Sequence, residues 1–248
     1  MHRFFVSPEC LQGESISLTG QLARQVSRVL RLGPGHRIIL LDDSGRAYEV
    51  ELDAVTPEQV TAHLVGVSEP QTEPSVRLAL YQALPKRRKF DWILQKGTEL
   101  GVSTFVPMVT QRCVPRRGER DDQRKLTRWR RIVAEAAEQS GRARLPKVLP
   151  IKSCAEACEA PPPSTLALMA WVGDETVPLG RALCALERAT LWEVRLFVGP
   201  EGGFTPSEVM RARRAGILPV SLGPRILRTE TAGLVALSAI LYALGDLG

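Results

Sequence analysis

The sequence is short of the features that mark membrane and secreted proteins. It contains no run of about 18 consecutive apolar residues, so no membrane-spanning helix is expected. The sequence that starts with residues 1–6 lacks the apolar core and the cleavage site of a signal peptide, so a signal peptide is not predicted. We therefore expect a cytoplasmic protein that has no membrane partner.

Cysteine is also scarce, and its spacing is irregular. The chain has five cysteines, so they cannot all pair with one another, and none belongs to a Cys-x-x-Cys motif. This pattern predicts neither a disulfide framework nor a zinc site, and we expect no metal. Cys154 and Cys158 are spaced to share a helix face, but buried thiols that act as small apolar residues are the better interpretation.

Three motifs of common α/β enzymes are missing. No Gly-x-Gly-x-x-Gly follows a strand near the start of the α/β region, which argues against a Rossmann-type site. The chain also lacks the P-loop pattern Gly-x-x-x-x-Gly-Lys-[Ser/Thr] and the nucleophile pattern Gly-x-Ser-x-Gly, which disfavours a P-loop NTPase and an α/β-hydrolase.

Positive charge is present and concentrated. The formal net charge is +6, and the basic residues are densest between 86 and 147, beginning with the run 86–89. A field of this kind suits a polyanion, because neutralised phosphates release condensed counterions. A solvated helix face that only aids solubility is the alternative, but the clustering favours nucleic acid.

The first 70 residues have the pattern of a small β domain. Apolar runs and alternation predict strands at 36–41, 47–55 and 59–67. Helical spacing is present at 21–32. One helix with several strands predicts a small barrel.

A linker and a second domain follow. Residues 69–74 contain two prolines and no apolar residue, which is typical of a linker. We therefore divide the chain into a domain of residues 1–70, a linker of residues 71–75 and a domain of residues 76–248.

Strands and helices alternate in the second domain. Strands are predicted at 76–84, 104–109, 166–171, 193–198 and 217–222. Helices are predicted at 90–100, 121–140, 179–188, 207–215 and 231–244. This alternation predicts an α/β domain with a mainly parallel sheet covered on both faces. Ligands of such sheets bind at the carboxyl ends of the strands.

The first candidate ligand loop, residues 199–205, follows the strand 193–198. Three glycines and a proline let its backbone turn sharply and approach a ligand closely. Thr205, Pro206 and Glu208 then fit a capping box that starts a helix. An ordinary connection is the alternative, but one glycine usually suffices for that, so a ligand loop is favoured.

The second candidate loop, residues 222–228, also follows a strand and precedes a helix. Arg225, Arg228 and Glu230 stand where the carboxyl end of the strand is expected. Thr229 or Thr231 is predicted to cap the helix. A capped helix start with solvated arginines explains this spacing equally well.

Six ordered motifs resemble those of the ribosomal RNA small-subunit methyltransferase E family. They are His2-Arg3-Phe4-Phe5, Val29-Leu30-Arg31-Leu32, the segments 95–102 and 135–142, and the two loops above. The resemblance implies S-adenosylmethionine-dependent methylation of N3 of a uridine in 16S rRNA, within the small ribosomal subunit. It also implies a PUA-like N-terminal barrel, a SPOUT domain with a C-terminal trefoil knot, and a homodimer.

The resemblance also implies which residues hold the methyl donor. The expected S-adenosylmethionine-binding residues are Met169, Gly199, Pro200, Glu201, Gly202, Gly203, Leu222, Gly223, Ile226, Leu227 and Arg228. Glycines suit close approach, and the adenine ring needs an apolar slot. Met169 either lines that slot or is an ordinary core methionine.

Uridine N3 carries a weakly acidic proton, and losing it puts negative charge on the ring oxygens. Arg228 is the first candidate to stabilise that charge, and Arg142 is the second. Glu230 or Glu138 is a candidate to accept the proton. For each glutamate, a role at a helix N-terminus or in a salt bridge is at least as good an interpretation.

Contacts to rRNA are expected from arginines in both domains. The candidate RNA-binding residues are Arg3, Arg28, Arg31, Arg112, Arg116, Arg117, Arg124 and Arg128. Phosphate contacts of this kind position the substrate without reading its bases. A SPOUT enzyme of another rRNA or tRNA site, and a non-catalytic RNA-binding ribosome-assembly factor, are the alternatives.

Overall fold

The computed structural model describes residues 1–11, 13, 15–113, 119–173, 175–184 and 190–247. The chain divides into two compact units. The first consists of Met1–Glu73 and Ala137–Leu145, and the second of Pro74–Ala136 and Pro146–Gly248. The first unit thus includes a segment that lies far beyond the predicted linker in sequence.

The first unit is built on a five-stranded sheet. Its strands are β1 (Arg3–Phe5), β2 (Ile16–Thr19), β3 (Arg37–Leu41), β4 (Ala47–Val55) and β5 (Gln59–Ser68). Their order is β1-β3-β4-β5-β2, with β1 parallel to β3 and the other pairs antiparallel. The strands β3, β4 and β5 confirm the predicted ones. β1 and β2 were not predicted, because three and four residues are too few to show a period.

Short helical turns and an apolar core complete the first unit. A 3₁₀ turn covers Pro8–Leu11, and helix α1 (Gly20–Arg24) runs into a π-helical turn at Gln25–Val29. The alternating apolar residues of the strands face one buried cluster. Its members include Phe4, Leu18, Val26, Ile38, Leu40, Val50, Leu52 and Val60.

The second unit contains a parallel sheet, which confirms the predicted α/β class. Its strands are β6 (Arg77–Ala83), β7 (Thr104–Val109), β8 (Lys147–Val148), β9 (Lys152–Ser153), β10 (Thr165–Ala170), β11 (Val177–Pro178), β12 (Glu193–Val198) and β13 (Leu218–Ser221). Their order is β11-β13-β10-β12-β6-β7-β8, and β9 also pairs with β7. Every pairing in this sheet is parallel.

Helices connect these strands. They are α2 (Lys89–Glu99), α3 (Glu119–Ser140), α4 (Cys154–Ala157), α5 (Leu179–Cys184), α6 (Pro206–Arg214) and α7 (Thr229–Leu244). The last residues of α3, from 137 onward, belong to the first unit. Of the predicted helix 179–188, residues 185–188 lie outside the described part of the chain. Among the described residues, no helix is both long and apolar enough to cross a membrane.

The central strands are buried along consecutive positions. Leu78, Ala79 and Leu80 are each at most 2% exposed. Because neighbouring side chains of a strand point to opposite faces, both faces of the sheet are covered there. Cys154 and Cys158 are free, buried thiols whose sulfur atoms lie 3.9 Å apart, which confirms their interpretation as small core residues.

Candidate functional site

The two predicted ligand loops leave the same edge of the parallel sheet. Strand β10 lies between β12 and β13, and its last residue, Ala170, is in register with Val198 on one side and Val220 on the other. Residues 199–205 (the glycine loop) and residues 222–228 (the arginine loop) therefore begin at the same level. Partly buried Trp171 follows Ala170 between them. This edge is the expected ligand edge of the fold.

The glycine loop is closely fitted to its own backbone. A Cβ on Gly199 would lie 3.2 Å from the Gly203 carbonyl carbon and the Phe204 nitrogen, so a side chain there would push against backbone atoms. Gly203 has a φ of +67°, which L-residues with a side chain rarely adopt. Its N–H donates to the Pro200 carbonyl at 2.9 Å and closes a tight turn.

Side chains fix both ends of the glycine loop. Phe204 is buried in the core, and the capping box is confirmed: Thr205 Oγ1 accepts from the Glu208 N–H, and Glu208 Oε2 accepts from the Thr205 N–H. In addition, Arg112 Nη1 donates to the Gly202 carbonyl at 2.6 Å. The glycine loop is therefore fixed by the buried Phe204 side chain, by the capping box at the start of α6 and by the Arg112 contact to Gly202.

The arginine loop presents more of its side chains to solvent. Gly223 has a φ of +107°, and Ile226 is 83% exposed. Arg225 and Arg228 are exposed, and within the described residues neither guanidinium forms a hydrogen bond or an ion pair. Leu222 and Leu227 are partly buried. Exposed apolar and cationic groups thus stand side by side in this loop.

The prediction that Thr229 or Thr231 caps α7 is wrong. The N-cap residue is Arg228, and no side chain caps this helix. Thr229 is the first helical residue, and its hydroxyl donates to the Gly199 carbonyl at 2.5 Å instead. The threonine therefore connects the start of α7 to the glycine loop, which local sequence reasoning could not indicate.

A charged network also joins the glycine loop to the start of α7. Lys89 Nζ lies 3.4 Å from Glu201 Oε1 and 3.1 Å from Glu230 Oε2. The Lys86 N–H donates to Glu201 Oε1 at 3.1 Å. The pKa of Glu201 is lowered from its ordinary value: partial burial opposes the shift, but the backbone N–H groups and the Lys89 ammonium outweigh it. Glu201 is consequently an ionised anchor of the glycine loop.

Two of the candidate catalytic residues belong to the first unit. The Arg142 side chain is only 3% exposed and forms an ion pair with Glu73, with Nη2 and Oε2 2.5 Å apart. Glu138 Oε1 accepts the Phe5 N–H at 3.0 Å. In this structure both groups bind partners within their own unit, whereas Arg228 and Glu230 lie beside the glycine loop.

Met169 has no exposed surface. It packs in a buried cluster with Phe197, Met108 and Ala83. This position corresponds to the core methionine that the sequence left open as an alternative, and its assignment to the adenine slot stays a prediction.

The candidate RNA-binding arginines fall into three groups. Arg3, Arg28 and Arg31 belong to the first unit, where the Arg3 side chain lies against the Gly141 backbone. Arg112, Arg124 and Arg128 belong to the second unit. Arg124 is exposed, while Arg112 binds Gly202 and Arg128 forms an ion pair with Asp91. Arg116 and Arg117 lie outside the described residues.

Three residues of the site were not singled out from the sequence as site residues: Lys89, Trp171 and Gln82, whose Nε2 donates to Thr229 Oγ1 at 2.9 Å. Gln82 stands as a polar residue near the end of an apolar strand, Leu-Ala-Leu-Tyr-Gln-Ala, and this was the signal that could have found it. Lys89 was hidden in a run of four basic residues. Among the described residues, no cluster of His, Cys, Asp and Glu suitable for a metal ion is found.

Comparisons with known proteins agree on one family. The model of the RNA methyltransferase domain matches residues 72–241. The chain is 31% identical to the ribosomal RNA small subunit methyltransferase E of Bacillus subtilis, over 98% of this chain and 96% of that protein. It is 37% identical to the protein of the same name from Synechocystis, over 96% of this chain and 77% of that one.

Solved structures give the same result. The chain is similar to a ribosomal RNA small subunit methyltransferase E from Neisseria gonorrhoeae solved bound to S-adenosyl methionine, with a TM-score of 0.88, 32% identity, and coverage of 98% of this chain and 97% of that one. A methyltransferase from Legionella pneumophila, solved with bound SAM, has a TM-score of 0.82 and 27% identity, over 97% of both chains.

Proposed function

Because the chain belongs to the ribosomal RNA small subunit methyltransferase E family, we propose that it methylates N3 of a specific uridine in 16S rRNA. Membership defines the enzyme class, an RNA methyltransferase that uses S-adenosylmethionine as methyl donor. The observation that carries the proposal is the pair of loops at one sheet edge: Thr229, the residue that follows the arginine loop, donates a 2.5 Å hydrogen bond to Gly199, the first residue of the glycine loop.

The residues of the two loops fit S-adenosylmethionine. A Cβ built on Gly203 or Gly223 would meet nothing within 4 Å, so the backbone at these positions is open to a ligand. Ile226 is apolar yet 83% exposed, and an adenine ring would remove such a side chain from water. We therefore assign the donor to residues 199–203 and 222–228, which supply backbone groups and apolar contacts.

When bound, S-adenosylmethionine supplies an already activated methyl group. The protein has to align uridine N3 with this group and to handle the N3 proton. In our proposal the exposed Arg228 guanidinium faces the ring oxygens of the uracil and stabilises their developing negative charge. The N-terminus of α7, where Arg228 is the N-cap, adds positive potential at the same place.

Glu230 is the proposed proton acceptor because it lies two residues from Arg228, at the start of α7. Its side chain is 17% exposed and is held by Lys89. Arg142 and Glu138 stay the second candidates for the two roles, and both would have to leave or share the partners described above.

The finer family features are part of the same proposal. The five-stranded sheet of the first unit would close as a PUA-like barrel, and the C-terminal part of the second unit would form the trefoil knot of SPOUT enzymes. The working form would be a homodimer acting on 16S rRNA of the small subunit in the cytoplasm. Exposed Arg28 and Arg31 of the first unit and Arg124 of the second supply charge for phosphate contacts.

The test is methyl transfer from S-adenosylmethionine to three substrates: free 16S rRNA, intact small subunits and tRNA. Mass spectrometry of the digested product should detect N3-methyluridine at one 16S position. A methylated tRNA or another modified base would redirect the proposal to a different site. If calorimetry shows no binding of S-adenosylmethionine, the protein is a non-catalytic RNA-binding factor.

A further inference from the structure

A polar side chain lies buried where the sheet is otherwise apolar. Gln82, near the end of β6, is 1% exposed. Its Nε2 donates to the Ala83 carbonyl at 3.0 Å and to Thr229 Oγ1 at 2.9 Å. Thr229, itself 5% exposed, then donates to the Gly199 carbonyl. We call these two consecutive hydrogen bonds, from Gln82 to Thr229 and from Thr229 to Gly199, the polar bridge.

The polar bridge is costly to bury. Gln82 Oε1 accepts no hydrogen bond from the described residues, and a Cβ on Gly233 would be 3.5 Å away from it. A buried acceptor without a partner costs about 1–3 kcal/mol. The two hydrogen bonds that Nε2 donates contribute about 0.5–1.5 kcal/mol each, which only offsets that cost, so a net gain in stability does not explain the glutamine.

What the bridge achieves is a fixed spacing between three elements. Gln82 is in register with Val198, the last residue of β12. Gly199 is the first residue of the glycine loop, and Thr229 is the first residue of α7, directly after Arg228. The bridge therefore sets the distance between the start of the glycine loop and the residue we assign to catalysis.

Lys89 repeats this connection closer to the surface. Its ammonium contacts Glu201 of the glycine loop and Glu230 of α7. The same two elements are thus joined twice, once by neutral buried groups and once by charges that are about a third exposed or less. A double connection constrains the angle between the elements as well as their spacing.

We propose that Thr229, Gln82 and Lys89 are positioning residues that hold the glycine loop and Arg228 in the alignment needed for methyl transfer. This inference rests on the proposed function for its catalytic consequence. Its structural part, the order of the glycine loop, does not depend on any ligand or activity.

The first experiment measures the structural part. Hydrogen exchange of the ligand-free protein is compared for the wild type, Thr229→Val and Thr229→Ser. Removing the hydroxyl should speed exchange of the amides at 199–204 by about tenfold, since a lost hydrogen bond of ordinary strength corresponds to that factor. Thr229→Ser keeps the hydroxyl and should stay close to the wild type. Unchanged exchange in Thr229→Val overturns the proposal.

The second experiment measures the catalytic part. Thr229→Val should lower kcat by about tenfold at saturating S-adenosylmethionine and RNA, as expected when a misplaced group loses alignment, and Thr229→Ser should recover most of it. A protein in which Thr229→Val lowers only the melting temperature, with kcat unchanged, contradicts a positioning role.

Two further variants distinguish the bridge from a general loss of stability. Gln82→Leu acts through Thr229, so combining it with Thr229→Val should lower kcat no further than the stronger single change. Full additivity would overturn the chain of contacts. Lys89→Met should lower kcat several-fold, whereas Lys96→Met, which removes a lysine paired with Glu99 on the same helix, should not.

The experiments distinguish a failure of the proposed function from a failure of the polar bridge. If the wild type neither binds S-adenosylmethionine nor methylates RNA, the proposed function fails, and the hydrogen-exchange comparison still decides the polar bridge. If the wild type is active and the exchange of 199–204 is insensitive to Thr229→Val, only the bridge fails.

Discussion

The glycine loop and the arginine loop leave neighbouring parts of one sheet, yet the protein holds them differently. The glycine loop is fixed by a capping box, by buried Phe204 and by contacts from Arg112 and Lys86. In the arginine loop, Ile226 is 83% exposed, and the Arg228 side chain has no partner among the described residues. A fixed loop can shape a binding site before the ligand arrives, while free side chains are available to the ligand and the substrate.

The largest effect on activity should come from the arginine loop, whose side chains are free. Arg228→Ala should lower kcat by about 100-fold or more, as removal of one group that stabilises developing charge does. The affinity for S-adenosylmethionine should change little, because the glycine loop stays intact. Arg214→Ala, which removes an exposed arginine of α6 outside both loops, is the matched control. Steady-state kinetics and calorimetry check both, and an unchanged kcat removes Arg228 from the mechanism.

The next largest effect should come from the fixed loop. Gly199→Ala places a Cβ 3.2 Å from backbone atoms of Gly203 and Phe204, so the loop must shift. We expect affinity for S-adenosylmethionine to fall by at least about tenfold, since contacts worth about 1.4 kcal/mol give that factor. Gly180→Ala is the control, because its Cβ meets nothing within 4 Å and alanine favours a helix. Equal affinities for the two variants would show that the loop is not tightly fitted.

A smaller effect, on the free energy of unfolding, should distinguish the start of α6, which follows the glycine loop, from the start of α7, which follows the arginine loop. Thr205→Ala removes a capping side chain and should cost about 1 kcal/mol of the free energy of unfolding. Thr231→Ala, at the start of α7, should cost clearly less, because Thr231 does not cap its helix. Denaturant unfolding of both variants measures the difference. Equal losses would mean that the capping box does not fix the glycine loop.

The smallest effect concerns pH. The folded-state pKa of Glu201 is lowered, so its contribution to stability is present above the ordinary pKa of 4.5 and is lost as pH falls through the lowered folded value. Glu201→Gln should therefore be less stable than the wild type at neutral pH and should approach it under acid conditions. Thermal unfolding across pH checks this. A constant gap between the two proteins at all pH values would contradict the ion contacts of Glu201.

Several elements followed from local sequence alone. Four of the six residues of the strand Glu193–Val198 are apolar, and Gly199 and Pro200 follow it directly; Thr205 with Glu208 forms a capping box within four residues. Such signals depend on neighbours in sequence, so they can be read without the fold. Short strands such as β1 and β2 gave no such signal. The capping role of Thr229 was predicted wrongly, because its hydroxyl is used 30 residues away.

The sequence by itself determined the α/β class, the parallel sheet and the positions of the glycine loop and the arginine loop, because hydrophobic period, glycine and capping residues act over a few positions. Only the tertiary structure decided that Thr229 contacts Gly199, that Lys89 joins Glu201 to Glu230, and that Ala137–Leu145 belongs to the first unit. These contacts join residues that are distant in the chain, and no local pattern specifies which distant strand or helix packs beside which.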